Sequence, residues 1–223
     1  MNSKEKILNR ISEALKNKSN LRETDNSAGE IIQSSLIAIT PKDNESLWLQ
    51  FKTELEKIAG EYYSFSSIEN AIEYIGKVLG ELNISEISID STRLVNDIKA
   101  ELLKKGIKVT EVTGLNPDER KKTIAELNAA VVSPSFAVAD IGSLVFLMDE
   151  TVTSYPHYLC DNTIAIIKKD KIAANQFELF EKLNTENSKN MFFVTGPSRT
   201  ADIEKVLVLG AHGPRRLIVI TID

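Results

Sequence analysis

The sequence is poor in the residues that hold metal clusters and covalent crosslinks. Among its 223 residues it has one cysteine, Cys160, and two histidines, His157 and His212. A single cysteine cannot form a disulfide within the chain. These three residues also do not supply the four ligands that an iron–sulfur cluster or a structural zinc ion takes. We therefore expect no metal or cluster in this chain, and this cysteine usage is typical of a cytoplasmic protein.

Long apolar runs, basic clusters and nucleotide motifs are also missing. The apolar runs reach about 4–8 residues, well short of the roughly 20 that span a bilayer, and the N-terminus lacks the apolar segment of a signal peptide. The net charge is -5, and no basic block indicates a nucleic-acid surface. Neither G-x-G-x-x-G nor a P-loop occurs, so a standard dinucleotide or nucleoside triphosphate site is not expected.

The N-terminal part differs in pattern from the rest of the chain. Residues 3–17 have the apolar spacing of a helix, and residues 18–42 are polar and broken. We predict an N-terminal helix and extended arm over 1–42, followed by one α/β domain over 43–223. Because the arm has no core of its own, we expect it to gain order on another copy of the chain or on a partner protein.

Helix starts are marked by capping signals. Asn44 opens an apolar stripe that ends before Gly60, Ser66 and Glu69 have the spacing of a capping box, and Asn116 precedes a proline and two acids. Further helices are predicted over 92–105, 174–184 and 201–209. Strands are predicted over 84–90, 107–112, 129–133, 142–148, 163–169, 191–195 and 216–222. This alternation predicts an α/β fold with a mostly parallel, Rossmann-like sheet that begins near residue 84 and has helices on both faces.

The loop "TGPSRT", residues 195–200, lies between a predicted strand and the predicted helix 201–209. In an open α/β sheet, ligands bind beyond the carboxyl ends of the strands, and a helix N-terminus favours an anion. The candidate ligand-binding residues are Thr195, Gly196, Ser198, Arg199 and Thr200. Arg199 can donate two hydrogen bonds to a carboxylate or phosphate. Alternatively, Thr200 caps the helix and Arg199 pairs with Asp202.

The segment "GAHGPRR", residues 210–216, follows the same predicted helix. A helix over 201–209 would hold the two loops roughly 13 Å apart, so we do not expect one ligand to touch both. His212 is a weak candidate for a catalytic acid or base. The alternative is that His212 is a turn or interface residue.

Gly142 and Ser143 stand just before a strong apolar strand. A glycine at this position indicates a bulge or a close approach of two backbones, and we include both residues among the candidate ligand-binding residues. Asp140, two residues earlier, is a second weak catalytic candidate, since it could accept a hydrogen bond from a hydroxyl. The alternative is an acid in a solvated turn.

The segment "YPHYLC", residues 155–160, is rich in aromatic residues and could line a cleft. Cys160 with His157 could form a nucleophile and base pair. Alternatively, Cys160 is a buried and inert cysteine.

Taken together, these stretches resemble a known family. "TGPSRTADIEKVLVLGAHGPRRLIVI" is similar to the C-terminal signature of the LUD-domain family, the lactate utilization protein C group: G-P-S-x-T-x-D-I-E and then G-x-H-G-P. "VADIGSLV" and "YPHYLCDNTIAIIKKDKI" resemble two further family segments. The chain departs from the pattern at Ile141, where the family has Thr or Ser. It departs again in 149–160, which is shorter and lacks an arginine before its proline.

The resemblance implies a fold similar to the NagB/RpiA/CoA-transferase group. It also implies a part in the oxidation of L-lactate to pyruvate, beside two partner proteins that carry the iron–sulfur clusters. The chain would then be a non-redox subunit that binds its partners and, at Arg199, a substrate carboxylate. The alternative is a free-standing enzyme that acts on a phosphorylated or acyl small molecule, as other proteins of this fold do.

Overall fold

The computed structural model describes residues 43–149, 152–183, 190–201, 207–209 and 213–223, with backbone only at 199–201 and 207–209. The predicted N-terminal helix and arm lie outside the described residues. Within these ranges no helix is long and apolar enough to cross a membrane.

The helices and strands follow one another as the alternating pattern predicts. The helices are α1 (Asn44–Lys57), α2 (Ile68–Glu81), α3 (Arg93–Lys104), α4 (Pro117–Ala125), α5 (Tyr155–Leu159) and α6 (Gln176–Lys182). The first six strands are β1 (Glu61–Phe65), β2 (Glu86–Ile89), β3 (Lys108–Glu111), β4 (Ala129–Val132), β5 (Phe136–Val138) and β6 (Ser143–Met148). The others are β7 (Asn162–Lys168), β8 (Ile172–Ala173), β9 (Asn190–Val194), β10 (Arg199–Ala201), β11 (Leu207–Leu209) and β12 (Arg216–Ile222).

The main sheet has six parallel strands in the order β1-β12-β7-β4-β2-β3. This confirms the predicted parallel sheet. The sheet does not begin near residue 84, however, because β1 forms its edge. None of the five β1 residues is fully buried, so β1 lacks the apolar run that marks the central strands.

Both faces of the main sheet are covered. Alternate residues of β4 enter different cores: Ala129 and Val131 pack with α2 and α3, whereas Ala130 and Val132 pack with α1 and α4. The strands are therefore buried on both sides, as their continuous apolar sequences predict.

A second sheet of four strands, in the order β8-β5-β6-β9, packs on the face that carries α1. Both β5 and β9 run antiparallel to β6. The predicted strands 142–148 and 191–195 thus exist but belong to this sheet and not to the parallel one. The physical reason is the short connection 139–142 between β5 and β6, because a parallel crossover needs a dozen or more residues.

The prediction of a helix over 201–209 is wrong. Residues 199–201 form β10, which pairs antiparallel with β11 at residues 207–209. The run "VLVL" fits both the helical period and strand alternation, and its valines favour extended backbone. The dipole of a helix over 201–209 therefore cannot support an anion at Thr200.

Two of the predicted helix starts are confirmed, and one predicted cap is wrong by a residue. Helix α1 begins at Asn44, and α4 is capped by the Asn116 side chain, which accepts a hydrogen bond from the Asp118 N–H at 3.2 Å. Helix α2 is capped by Ser67 and not by Ser66. Serine is a good cap at either position, so the capping-box spacing alone did not show which of the two serines caps the helix.

Two glycines of the second sheet lie against the end of α1. Gly142 has a φ of +59°, and a Cβ there would stand 2.6 Å from the Leu55 backbone nitrogen. Gly196 has a φ of +78°, and a Cβ there would stand 2.8 Å from Ile58 Cδ1. The close backbone approach predicted at Gly142 is confirmed.

Replacing Gly142 with alanine should lower the free energy of unfolding by about 3 kcal/mol, because the left-handed backbone and the overlap with helix α1 both disfavour a side chain. Urea unfolding measures the loss. Gly106→Ala is the control, because Gly106 has a φ of +80° but open space around its Cβ position. Equal losses in the two variants would contradict the close approach.

Candidate functional site

The loop 195–198 and the segment 213–214 meet at the base of the β10–β11 hairpin. The Ser198 N–H donates to the Pro214 carbonyl oxygen at 2.7 Å, and a Cβ on Gly213 would stand 3.2 Å from Ser198 Cβ. The predicted separation of roughly 13 Å is therefore wrong, because it depended on a helix in place of this hairpin. One ligand can contact both stretches.

Ser143, the first residue of β6, also lies next to the loop 195–198. Pairing of β6 with β9 sets Leu144 opposite Val194, which brings Ser143 beside Thr195. The Ser143 Oγ and Thr195 Oγ1 atoms lie 2.6 Å apart and share a hydrogen bond. Three stretches that are far apart in the sequence thus converge.

A cavity of about 460 Å³ opens where they converge, and we call it the motif pocket. Its walls come from Phe193 and Val194, the loop 195–198, Gly213 and Pro214, His157 and Tyr158 of α5, and Ile58 at the end of α1. The pocket lies at the amino ends of β7 and β12. The expectation of a site beyond the carboxyl ends of the parallel sheet does not hold for this loop, because the preceding strand β9 belongs to the second sheet.

His157 forms a buried part of the pocket wall. Its side chain is 2% exposed, and its ring stacks against Phe146 and Phe192 at centroid distances of 4.5 Å each. Burial lowers the pKa of His157 to about 3, so the imidazole is neutral near pH 7. Neither ring nitrogen has a hydrogen-bond partner among the described residues. Both nitrogens are shielded from solvent as well, so the ring lies behind the pocket surface.

The remaining predicted site residues are either not fully described or lie outside the motif pocket. Only the backbone of Arg199 and Thr200 is described, on strand β10, and His212 lies outside the described residues, so the roles predicted for these three side chains stay predictions. Asp140 is exposed, in a turn at Ala139–Ile141. Partial burial, with a smaller effect of the Glu54 charge, raises its pKa. Asp140 does not line the motif pocket, which favours the solvated-turn alternative.

Comparison with known proteins identifies the family. The family model "LUD domain" matches residues 49–222, which is most of the chain. The chain belongs to the LUD-domain family. The motif pocket is therefore built from the stretches by which the sequence resembles that family.

Individual relatives agree with this assignment. The chain is 25% identical over 164 residues to "Lactate utilization protein C 1" of Bacillus mycoides, across 70% of each protein. It is 30% identical over 125 residues to "Lactate utilization protein C" of Bacillus pumilus, and there spans about half of that relative, 52%. A crystal structure of a DUF162 family protein from Deinococcus radiodurans has the same fold, with a TM-score of 0.63 and 18% identity, and the match covers 82% of this chain and 100% of that one.

The two departures from the LUD-domain pattern have different structural consequences. Ile141 packs against the core of the second sheet, with residues such as Val145 and Leu179, and does not line the pocket. In the altered segment 149–160, helix α5 places His157 in the pocket wall. The sequence analysis inferred from the aromatic residues that the segment 155–160 could line a cleft, and His157 and Tyr158 do line the motif pocket.

Cys160 is not part of this site. It is 1% exposed, its Sγ lies 3.9 Å from the Ile124 carbonyl oxygen, and burial raises its thiol pKa to about 12. The His157 ring makes no hydrogen bond to it. The structure thus favours the buried, inert alternative over the nucleophile and base pair. In the described part of the chain, no group of three or more His, Cys, Asp or Glu residues could hold a metal ion.

Asp90 is a buried acid that the sequence analysis did not single out. It is 2% exposed and directly follows β2. Its carboxylate accepts hydrogen bonds from the Thr92 N–H at 3.0 Å, the Thr92 hydroxyl at 2.6 Å and the Ser133 N–H at 2.6 Å. Asp90 thereby ties the carboxyl ends of β2 and β4 together. Ligands of open α/β sheets bind beyond the carboxyl ends of the strands, and this rule could have singled out Asp90 from the sequence.

A cavity of about 620 Å³ lies at this edge of the sheet. Its exposed charges are mixed, because Arg93, Lys168 and Lys171 stand among Asp97 and Asp170. The described residues of 195–200 and 210–216 do not line it, and of the stretches that resemble the family it contains only the far end of 155–172. The motif pocket is therefore the better candidate for the functional site.

Asp90 should make stability depend on pH. Burial raises its pKa from 3.8 to about 6, so the folded chain holds this proton more tightly than the unfolded chain. The stabilisation is present below about pH 4 and lost as the pH rises through about 6, which amounts to about 3 kcal/mol. The difference in unfolding free energy between wild type and Asp90→Asn should shrink by that amount between pH 4 and pH 7.

Denaturant unfolding at the two pH values measures this difference. Asp97→Asn, on the exposed side of α3, is the control for the loss of a carboxylate. Asn at position 90 also loses an acceptor, so the variant should be less stable at both pH values, and only the change with pH is diagnostic. Parallel pH profiles for wild type and Asp90→Asn would contradict the assignment.

Proposed function

We propose that the chain takes part in lactate utilization as a non-redox subunit that binds a small carboxylate in the motif pocket. The observation that carries the proposal is the convergence on one cavity of the loop 195–198, the segment 213–214 and helix α5, all of which come from stretches that resemble the family. The names of the Bacillus relatives support lactate as the metabolite. The family membership of the chain supports the same assignment.

Hydrogen bonds and one cation would hold the carboxylate. The Thr195 hydroxyl shares one hydrogen bond with Ser143 and retains capacity for another. The side chains described in the pocket wall carry no charge at neutral pH. Arg199 follows the wall residue Ser198 directly, and we assign to it the charge-assisted contact with the carboxylate. We therefore retain the predicted anion site at the loop 195–200, although the predicted helix dipole does not contribute to it.

Lactate oxidation also requires electron acceptors. We propose that iron–sulfur oxidoreductase partner subunits supply them and that the assembly works in the cytoplasm. The small number of cysteines and histidines in this chain motivates this division of labour. A tagged full-length chain, recovered from its own cells grown on L-lactate, should co-purify with proteins that contain iron and sulfide. Recovery of the chain alone, after mild crosslinking, would contradict a stable complex.

Arg199→Ala should weaken L-lactate binding about tenfold or more, since a hydrogen bond from a charged donor contributes roughly 1.5–3 kcal/mol. Isothermal calorimetry on the purified chain measures the affinity, and the thermal midpoint should stay nearly unchanged. Arg215→Ala is the control, because the Arg215 side chain is 61% exposed and lies 3.4 Å from Asp161.

Two results would count against this proposal. If Arg199→Ala lowers the thermal midpoint and leaves the affinity unchanged, Arg199 is a structural residue. If the wild-type chain binds sugar phosphates or acyl thioesters but neither lactate nor pyruvate, the alternative of a free-standing enzyme is favoured.

A further inference from the structure

We infer that the cavity of about 620 Å³ at the carboxyl ends of β2, β4 and β7 is a second binding site, which takes an acidic α-amino acid. We call it the edge cavity. The inference goes beyond the proposed function and does not rest on it, because the edge cavity and the motif pocket share no lining residue. Its ligand carries two carboxylates and one ammonium group.

The edge cavity lies where the order of the main sheet reverses. From β2 the chain continues to β3 on one side, whereas β4, β7 and β12 follow one another toward the other side. The reversal between β2 and β4 is a topological switch point, at which open α/β sheets bind their ligands. The residues that line the cavity stand at the ends of these strands or just after them, within 92–97, 133–135 and 167–171.

A buried carboxylate holds two sides of this cavity in place. Asp90 accepts hydrogen bonds from the Thr92 N–H at 3.0 Å and from the Ser133 N–H at 2.6 Å. Both Thr92 and Ser133 line the cavity, one after β2 and the other after β4. The backbone on both sides of the switch point is therefore fixed before a ligand enters, which is the kind of support that a binding site needs.

Three charged side chains in the wall of the edge cavity are available to a ligand. Arg93, Lys168 and Asp97 are exposed and make no ion pair or hydrogen bond with any described residue. Arg93 and Asp97 are one turn apart on α3, a spacing at which opposite charges commonly pair. The other two charged residues of the wall, Lys171 and Asp170, lie 3.8 Å from each other.

The balance of charge determines the class of ligand. A simple anion such as phosphate would be attracted by the cations but repelled by Asp97, Asp170 and the buried Asp90. An α-amino acid carries both signs on one carbon. Its carboxylate can accept two hydrogen bonds from Arg93, and its ammonium group can donate to Asp97 one turn further along α3.

Lys168 then selects an acidic side chain on the amino acid. Strand β4 separates β2 from β7, so the ends of these two strands are about 10 Å apart. A second carboxylate, at the far end of the ligand, can thus meet Lys168 while the first meets Arg93. Between them, the buried residues Pro134 and Ile167 give the ligand's methylene groups an apolar contact.

The test uses L-glutamate and two analogues. Glutarate lacks the ammonium group, and L-glutamine lacks the charge on the side chain. NMR of the nitrogen-15-labelled full-length chain follows the N–H signals of Thr92, Ser133 and Ser135. L-Glutamate should shift them with a dissociation constant in the millimolar range, because exposed ion pairs are weak. Each analogue should bind about threefold to fivefold more weakly, which is the effect of one such pair.

Single variants assign each group of the ligand to its partner. Asp97→Asn should remove the preference over glutarate and retain the preference over L-glutamine, and Lys168→Gln should do the reverse. Arg93→Gln should weaken all three ligands, because each of them has the carboxylate that Arg93 contacts. Glu101→Gln is the control, since Glu101 lies one turn beyond Asp97 on α3 and does not line the cavity. It should bind as wild type does.

Four results would overturn the inference. They are shifts confined to the loop 195–198, equal affinities for L-glutamate and its analogues, a preference over glutarate that survives in Asp97→Asn, and inorganic phosphate that binds as tightly as L-glutamate. The last result would show a simple anion site. None of them bears on lactate binding in the motif pocket, so the two proposals stand or fail separately.

Discussion

Two glycines allow the second sheet to lie directly on the end of helix α1, and the site depends on this contact. Gly142 lies against the Leu55 backbone and Gly196 against Ile58, at distances that leave no room for a side chain. Gly142 sets where β6 begins, and Gly196 sets how the chain leaves β9. The hydrogen bond between Ser143 and Thr195 then joins the two strands at the pocket.

The same two strands determine the surroundings of the histidine. Phe146 of β6 and Phe192 of β9 are neighbours in the register, and their rings form an apolar surface on which His157 stacks. Burial on this surface keeps the imidazole neutral and leaves both nitrogens without partners in the described chain. A buried polar group without a hydrogen bond lowers the stability of the fold. Proteins tolerate such groups mainly at functional sites.

Local signals predicted most of the main sheet and little of the site. Buried strands such as β7 and the cap at Asn116 depend on nearby residues, so the sequence shows them directly. The edge strand β1 has no buried run and was missed. The segment 201–209 was assigned the wrong element, because the four alternating valines and leucines at its end fit both the helical and the strand period.

The site depends on pairing between distant segments, which the sequence pattern does not show. The sequence analysis considered the stretches 142–143, 195–200 and 210–216 separately, and the predicted helix 201–209 held the last two apart. Only the antiparallel pairing of β10 with β11 brings Ser198 and Pro214 to one cavity, and only the pairing of β6 with β9 sets the buried Ser143 behind Thr195. The aromatic segment 155–160 was expected to line a cleft, but no local signal connected that cleft with the loop 195–198.

The central claim is that the motif pocket binds a small carboxylate. The N–H signals of a nitrogen-15-labelled sample report by NMR which residues a ligand contacts. During a titration with L-lactate, the N–H signals of Thr195, Gly196 and Ser198, which line the pocket, should shift with one saturating dependence on concentration, while those of β2 should not move. Pocket signals that stay at their free positions while calorimetry shows the chain saturated with L-lactate would contradict the account.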